Sequence, residues 1–274
     1  MHETTRPAAV AGMFYPGSAG ALAASLRECF GDAAVQGTGT ATPASRSPKA
    51  MIVPHAGYIY SGPVAASAYA RLASARDIVR RVVLFGPAHR VPVRGLALPA
   101  ASRFATPLGT VEIDQEAIES IADLPYVMRS DAAHAQEHSL EVQLPFLQTV
   151  LASFTLVPFA VGNATGEEVA AVMDRLWGGE ETLVLVSSDL SHYHRYSDAV
   201  AIDRETAQTV LRMTARLDHE QACGATPING LLQCAPRHGL KPSLLDLRNS
   251  GDTAGDRSRV VGYASFAFED ARNG

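Results

Sequence analysis

Three short aliphatic runs in this chain each lead into a histidine: Val53-Pro-His55, Gly86-Pro-Ala-His89 and Ser188-Asp-Leu-Ser-His192. Histidine is the commonest metal ligand and the usual general base near neutral pH. If the three runs are neighbouring parallel strands, their imidazoles converge on one rim, as a metal or acid–base site requires. Asp189, next to the third run, is placed to fix a histidine tautomer. The run before it, Leu183-Val-Leu-Val186, fits a strand buried on both faces. In an open α/β sheet, ligands bind just past the carboxyl end of such a strand, which puts Asp189, His192 and His194 where chemistry is done.

Two further groups could reach that rim. His134, Glu137 and His138 stand close together. They read either as a solvated helix start, where the macrodipole favours Glu, or as groups supporting the site. Cys223 precedes Gly224 and a helix with Thr226 as cap and Pro227 at its first position. A free cysteine is usually a small buried hydrophobe, but near a helix N-terminus its pKa falls and it becomes a thiolate ligand. Cys29 and Cys234 lie within helical patterns and read as core. His2, His219 and His238, in a terminus or at polar helix ends, read as surface.

The elements that must position these residues alternate. Strands are expected over 50–54, 81–86, 95–99, 155–161, 183–186, 243–247 and 260–268. Helices are expected over 19–30, with Leu22, Leu26 and Phe30 on one face, and over 63–72, 114–121 and 198–213. Ser139 caps a helix to about Leu151 that Pro145 either kinks or delays. Thr165-Gly-Glu-Glu168 is a capping box opening a helix to Trp177. Residues 31–48 are Gly/Thr/Ser/Pro-rich and read as a mobile surface loop. The reading is one α/β domain over 1–274, with a mostly parallel or mixed sheet flanked by helices.

Composition narrows the function. The 274 residues are 47% hydrophobic with a net charge of −5, and no Lys/Arg run marks a nucleic-acid or anionic-membrane surface. No apolar stretch is long enough to span a bilayer and no signal-peptide core is present, so a cytoplasmic location is expected. Three cysteines without a C-x-x-C pair argue against a disulfide framework or a Cys-rich zinc site. The G-x-x-x-x-G-K-[ST], G-x-G-x-x-G and G-x-S-x-G signatures are all missing, which removes the usual support for nucleotide and hydrolase readings.

Six motifs then occur in a telling order: Pro54-His-Ala-Gly-Tyr58, Gly86-Pro-Ala-His89, Glu137-His-Ser-Leu-Glu-Val-Gln-Leu-Pro-Phe146, Ser187-Ser-Asp-Leu-Ser-His192, Cys223-Gly-x-x-Pro-Ile228 and Ser250-Gly-Asp252. Over nearly its whole length the chain resembles the Memo-like family, whose prokaryotic members are called AmmeMemoRadiSam system protein B. The resemblance implies a fold similar to the class III extradiol (LigB-type) non-haem iron dioxygenases. It implies iron or copper held by His55, His89 and Cys223, with zinc as the other candidate, and His192 in the place of the dioxygenases' base. Asp189, Glu137 and His138 would support the site, with Tyr58 and Ser188 in the same supporting or substrate-lining set. His194 drops out, because the family motif ends at His192. A cysteine stands where those dioxygenases use a carboxylate, and thiolate favours softer metals, including Cu(I). That shifts the expectation away from ring cleavage and toward a metal-dependent redox protein of unknown substrate. The system name points to a radical-SAM protein and an AMMECR-type protein as partners. The chain has no three-cysteine cluster motif, so radical chemistry would belong to the partner. Two alternatives stand beside the leading one: a non-catalytic module that binds a peptide or protein in the same pocket, and a zinc-dependent hydrolase using the His/His/Cys set.

Overall fold

Runs such as Met51-Ile-Val53, Val82-Val-Leu-Phe85 and Leu183-Val-Leu-Val186 carry no polar alternation, and in the computed structural model all of these residues are buried. They can be satisfied only in the middle of a sheet covered on both faces. The structure describes residues 4–36 and 47–271. In chain order, β1 (Thr5–Arg6) and α1 (Ala19–Gln36) precede β2 (Ala50–Val53) and α2 (Tyr58–Tyr69). β3 (Arg81–Pro87) leads into short pieces: β4 (Leu96–Leu98), β5 (Arg103–Thr106), β6 (Gly109–Ile113), α3 (Gln115–Glu119), β7 (Val127–Arg129), α4 (Asp131–Ala135), α5 (His138–Glu141) and α6 (Leu144–Val150). Then come β8 (Thr155–Val161), α7 (Gly166–Arg175), β9 (Thr182–Ser187), β10 (His192–His194), α8 (Tyr196–Leu211), α9 (Ala225–Arg237), β11 (Leu240–Asn249) and β12 (Val260–Asp270).

The sheet runs β1-β5-β6-β8-β3-β9-β2-β12-β10, with β11 paired to β12 and β4 bridging β8 and β7. Its centre, β8-β3-β9-β2, is wholly parallel, and β12 joins β2 antiparallel, so the sheet is mixed. Val53 lies beside Ser187 and Phe85 beside Val186. β9 therefore sits between β3 and β2, and all three open their carboxyl ends on the same rim. The expected convergence of strand ends is the observed topology.

Local departures have local causes. α1 continues to Gln36, because Ala33 and Ala34 propagate a helix well and Ala33 is buried. Residues 31–36 of the expected loop are therefore helical, and residues 37–46 lie outside the described residues. α2 begins at Tyr58 and carries Pro63 within it, rather than starting at the proline. The helix expected from Ser139 to Leu151 is two helices, α5 and α6, broken at Val142–Gln143, with Pro145 in the first turn of α6, where a missing N–H is harmless. α5 is capped by Glu137, whose carboxylate accepts the Ser139 N–H, and α9 starts at Gly224 rather than at Thr226. Among the described residues no helix is long and apolar enough to cross a membrane.

Candidate metal centre

His55, two residues past β2, is fully enclosed, and its N–H donates to Asp189 Oδ1 at 2.7 Å. The Ala56 N–H reaches the same oxygen at 3.3 Å. The loop after β9 thus holds the loop after β2. His89, two residues past β3, is held by Glu137, whose Oε2 accepts the His89 backbone N–H at 2.6 Å and whose Oε1 faces Nδ1 at 2.9 Å. His138 follows Glu137 directly and lies under the Phe14 ring, 4.5 Å between centroids. α5 can come this close to β3 because of Gly86: a Cβ there would sit 2.7 Å from Ser139 Oγ.

The three imidazoles form one cluster. The His55 ring lies 5.3 Å from those of His89 and His138, and the latter two stack at 4.6 Å. One nitrogen from each falls within 4.8 Å of the others. Cys223, just ahead of α9, places Sγ 3.3 Å from His55 Nε2. Ser188 fixes that cysteine's position, since its Oγ accepts the Gly224 N–H at 2.9 Å and its hydroxyl donates to the Asp189 carbonyl at 2.7 Å.

Proton accounting shows which lone pairs are free. The Ser187 hydroxyl has one proton, and the Ser139 carbonyl at 2.6 Å takes it. Ser187 Oγ then accepts from Gln143 Nε2 at 2.8 Å and from His55 Nδ1 at 2.9 Å. His55 therefore carries its proton on Nδ1 and presents a bare Nε2 toward Cys223. His89 is fixed in the same way, because an ionised Glu137 can only accept. Burial would raise the Glu137 carboxyl, but the His89 side chain and the His89 and Ser139 amides hold it down at about 2. A histidine whose second nitrogen is tied to a hydroxyl or a carboxylate is what metal-binding imidazoles use to set tautomer and direction.

The electrostatics favour neutral rings. Burial, then the nearby His89, pushes His55 down to about 3, and burial, then His55, pushes His138 to about 4. His138 Nδ1, 3.4 Å from Glu137 Oε1, is therefore in no ion pair, and it is buried without a hydrogen-bond partner. An unpartnered buried nitrogen costs on the order of 1–3 kcal/mol, which a metal ion in this cluster would relieve. Two ligands on one first-row ion stand roughly 3.5 Å apart when one is sulfur and one nitrogen, close to the Cys223–His55 separation. The donors present fit a metal ion. Burial, then Asp189, pushes the Cys223 thiol up to about 12, so the helix start does not make it a thiolate, contrary to expectation. Desolvation outweighs the macrodipole here, and ionisation would need the ion itself.

The other expected residues divide. Burial raises Asp189, against the His55 amide that lowers it, and its Oδ2 lies 4.0 Å from His55 Nε2. His192, half-buried on β10, lies within electrostatic reach of both His55 and Asp189. Tyr58 lines no opening. It is 3% exposed, packs on Phe146, and donates its hydroxyl to the Val142 carbonyl at 2.7 Å, buttressing the end of α5. His134 is buried on the Ala97 carbonyl at 2.9 Å and takes no part, whereas Glu137 and His138 reach the site. Sequence reasoning missed Ser187 and Gln143, which set the His55 tautomer. It also missed Glu141, which gathers Arg6, Tyr15 and the amides of Ala9 and Val10 and so seats Phe14 over His138. The available signal was a polar residue on an otherwise apolar, buried helical face.

A family model described as "Memo-like protein" matches residues 6–267. A MEMO1 family protein of Methanothermobacter thermautotrophicus is 38% identical, covering 96% of this chain and 99% of its own. Those of Aquifex aeolicus and Sulfurisphaera tokodaii are 37% and 34% identical, covering 81% and 96% of this chain and 86% and 98% of their own. Among solved structures, an uncharacterized protein from Escherichia coli K12 is similar with a TM-score of 0.52 at 15% identity, over 81% of this chain and 99% of that one, which is a likeness of fold.

Proposed function

The chain belongs to the Memo-like family, and from that premise we propose that it is a metal-dependent redox protein holding iron or copper at the β2/β3/β9 rim. His55 and His89 would each give Nε2, Cys223 would give Sγ, and His138 stands as a further donor. The observation that carries the reading is the pair of imidazoles locked by Ser187 and Glu137 with their Nε2 atoms bare. Two imidazoles and a thiolate suit copper and other soft ions better than magnesium or calcium. A bound iron or copper ion would supply one-electron exchange at this point.

The chain's own residues do the rest. Ser187 and Glu137 keep both ring protons on Nδ1, so neither ring can turn its protonated side inward. Phe14 covers His138 and limits water on that side. His192 would take a proton from substrate or return one, and Asp189, whose Oδ1 is spent on two amides, holds Oδ2 4.0 Å from His55 Nε2. Metal analysis of anaerobically purified protein tests the reading. It expects about one iron or copper per chain, reversible bleaching of a thiolate charge-transfer band, and loss of both in Cys223→Ala. Absence of uptake, or an unchanged Cys223→Ala protein, would overturn it, and retention of zinc in preference would move the site to hydrolytic chemistry.

A further inference from the structure

β10 changes direction within three residues. His192 pairs with Val261 and His194 with Val260, and the register slips between them. Tyr193 absorbs the slip at φ 62°, left-handed backbone that costs a non-glycine residue on the order of 1 kcal/mol. Tyr193 is 63% exposed. A bulge re-aims one side chain out of the ladder, and here it divides the strand between two places. His192 serves the metal rim, while Tyr193 lines a surface cavity of about 820 Å³. The two places adjoin: the His192 and Tyr193 rings lie 5.8 Å apart, centroid to centroid.

That cavity is lined by Arg195, Arg257 and Arg259 with Tyr193 and Tyr196, and by no carboxylate, in a chain of net charge −5. The Arg259 guanidinium lies 5.1 Å above the Tyr193 ring and that of Arg257 4.4 Å above Tyr196. A guanidinium stacked on a ring keeps its in-plane N–H fork free for an oxyanion. The nearby acids are engaged. Asp252 accepts the Tyr196 hydroxyl at 2.7 Å and lies 3.9 Å from Arg257. Asp256 accepts the Ser258 amide at 2.7 Å and its hydroxyl at 2.5 Å. Among the described residues neither Arg195 nor Arg259 has a carboxylate partner.

We infer that this cavity is an oxyanion subsite: it holds the phosphate or carboxylate end of the molecule on which the neighbouring centre acts. The role rests on the proposed function, but binding of the anion does not. The test therefore uses metal-free protein, titrated with inorganic phosphate and with acetate against sodium chloride of matched ionic strength, followed by calorimetry. Wild type binds one phosphate or acetate per chain, and whichever is tighter identifies the end group. The Arg195→Gln/Arg259→Gln double variant binds it at least about tenfold more weakly, a loss of about 1.4 kcal/mol. Tyr193→Gly relieves the backbone and removes the ring, so it weakens binding without lowering the melting temperature, which separates lost recognition from lost folding. Equal binding by wild type and the double variant, or none above chloride, overturns the inference. Iron and copper uptake measured on these proteins stays at the wild-type level; uptake failing in wild type while anion binding persists would sink the proposed function and leave the subsite standing.

Discussion

Helix α9 has a cysteine cluster at each end, and the two behave differently. At its start, Cys223 stands 3.3 Å from His55, which clusters with His89 and His138, one nitrogen of each within 4.8 Å of the others; in its last turn, Cys234 meets Asp174 and His238, again with one candidate atom each within 4.8 Å. By proximity the two groups are equally good metal sites. In the lower group, however, Asp174 Oδ1 accepts from Cys234 Sγ at 3.0 Å and from His238 Nε2 at 2.8 Å, while Oδ2 takes Arg237 at 2.7 Å. Trp177 stacks on the His238 ring at 3.9 Å. Every candidate atom there has a proton between it and its neighbour, and an arginine already neutralises the carboxylate. In the upper group the ring protons of His55 and His89 are drawn away to Ser187 and Glu137, and the proton left inside is that of the Cys223 thiol, which a metal ion would displace. Nearness of ligand atoms makes a candidate; the direction of the protons makes a metal centre.

The comparison breaks most readily on metal affinity. His89→Ala should lower iron or copper affinity by more than about 100-fold, since losing a ligand exceeds the 10–100-fold typical of losing a ligand's hydrogen-bond partner. Competition against a coloured chelator would measure it. Cys234→Ala and His238→Ala should leave affinity unchanged; if they lower it as much as His89→Ala does, the distinction between the two clusters is lost.

Next in size is the orientation of His89. Glu137→Gln keeps the shape but offers Nδ1 a neutral amide that can present its own N–H. Affinity should then fall about 10–100-fold with all four donor residues intact. An unchanged constant would mean that Glu137 caps α5 and does nothing for the metal.

Acid should separate the clusters without any metal. His55 and His138 stay neutral when folded down to about 3 and about 4, whereas an unfolded histidine takes its proton near 6.5. The unfolded state therefore binds more protons below pH 6.5, and stability of the metal-free protein falls as pH drops from there toward 3. At pH 5 the loss is on the order of 2 kcal/mol for each ring. Glu137 acts with the same sign but in a lower window, adding stability above about 4.5 that is lost only as pH falls toward 2, so it is silent between pH 7 and 5. Asp174 is silent there too: burial alone would raise its carboxyl, but the hydrogen bonds from Cys234 and His238 bring it below its usual value. Denaturant melts at pH 7 and pH 5 should show the slope, and His55→Gln or His138→Gln should flatten it. A slope unaltered in both variants would place the acid sensitivity elsewhere.

The sequence carried more of the rim than of its wiring. Uninterrupted aliphatic runs announced β2, β3, β8 and β9, and the histidines after three of them pointed to one edge, because strand burial is a local signal. The partners were not local. His55 Nδ1 meets a serine 132 residues away, and Gln143 meets that serine across 44. No spacing rule connects such pairs; only the closed sheet does. Cys223 was legible as a helix-start cysteine, but what keeps its thiol neutral was not, since burial in the closed fold and the charge of Asp189, on another strand's loop, are not local signals. The family motif contained Glu141 and Gln143 without telling what they hold.

The smallest predicted effect bears on the lower cluster. If Cys234, Asp174 and His238 form only a hydrogen-bonded brace between α7 and α9, then Asp174→Asn should cost stability and nothing else. The carboxylate's side chain is 36% exposed, so water screens its pair with Arg237 and replaces part of what is lost. Cys234 Sγ is buried and loses an ionised acceptor. A net loss of about 1 kcal/mol follows, lowering the melting temperature by about 2–4 °C. Metal-free and metal-loaded protein should fall by the same amount, because the brace lies at the opposite end of α9, about 20 Å from the rim for thirteen helical residues. A larger drop in the metal-loaded form alone would mean that the lower cluster binds an ion after all, with Arg237 turning away to admit it.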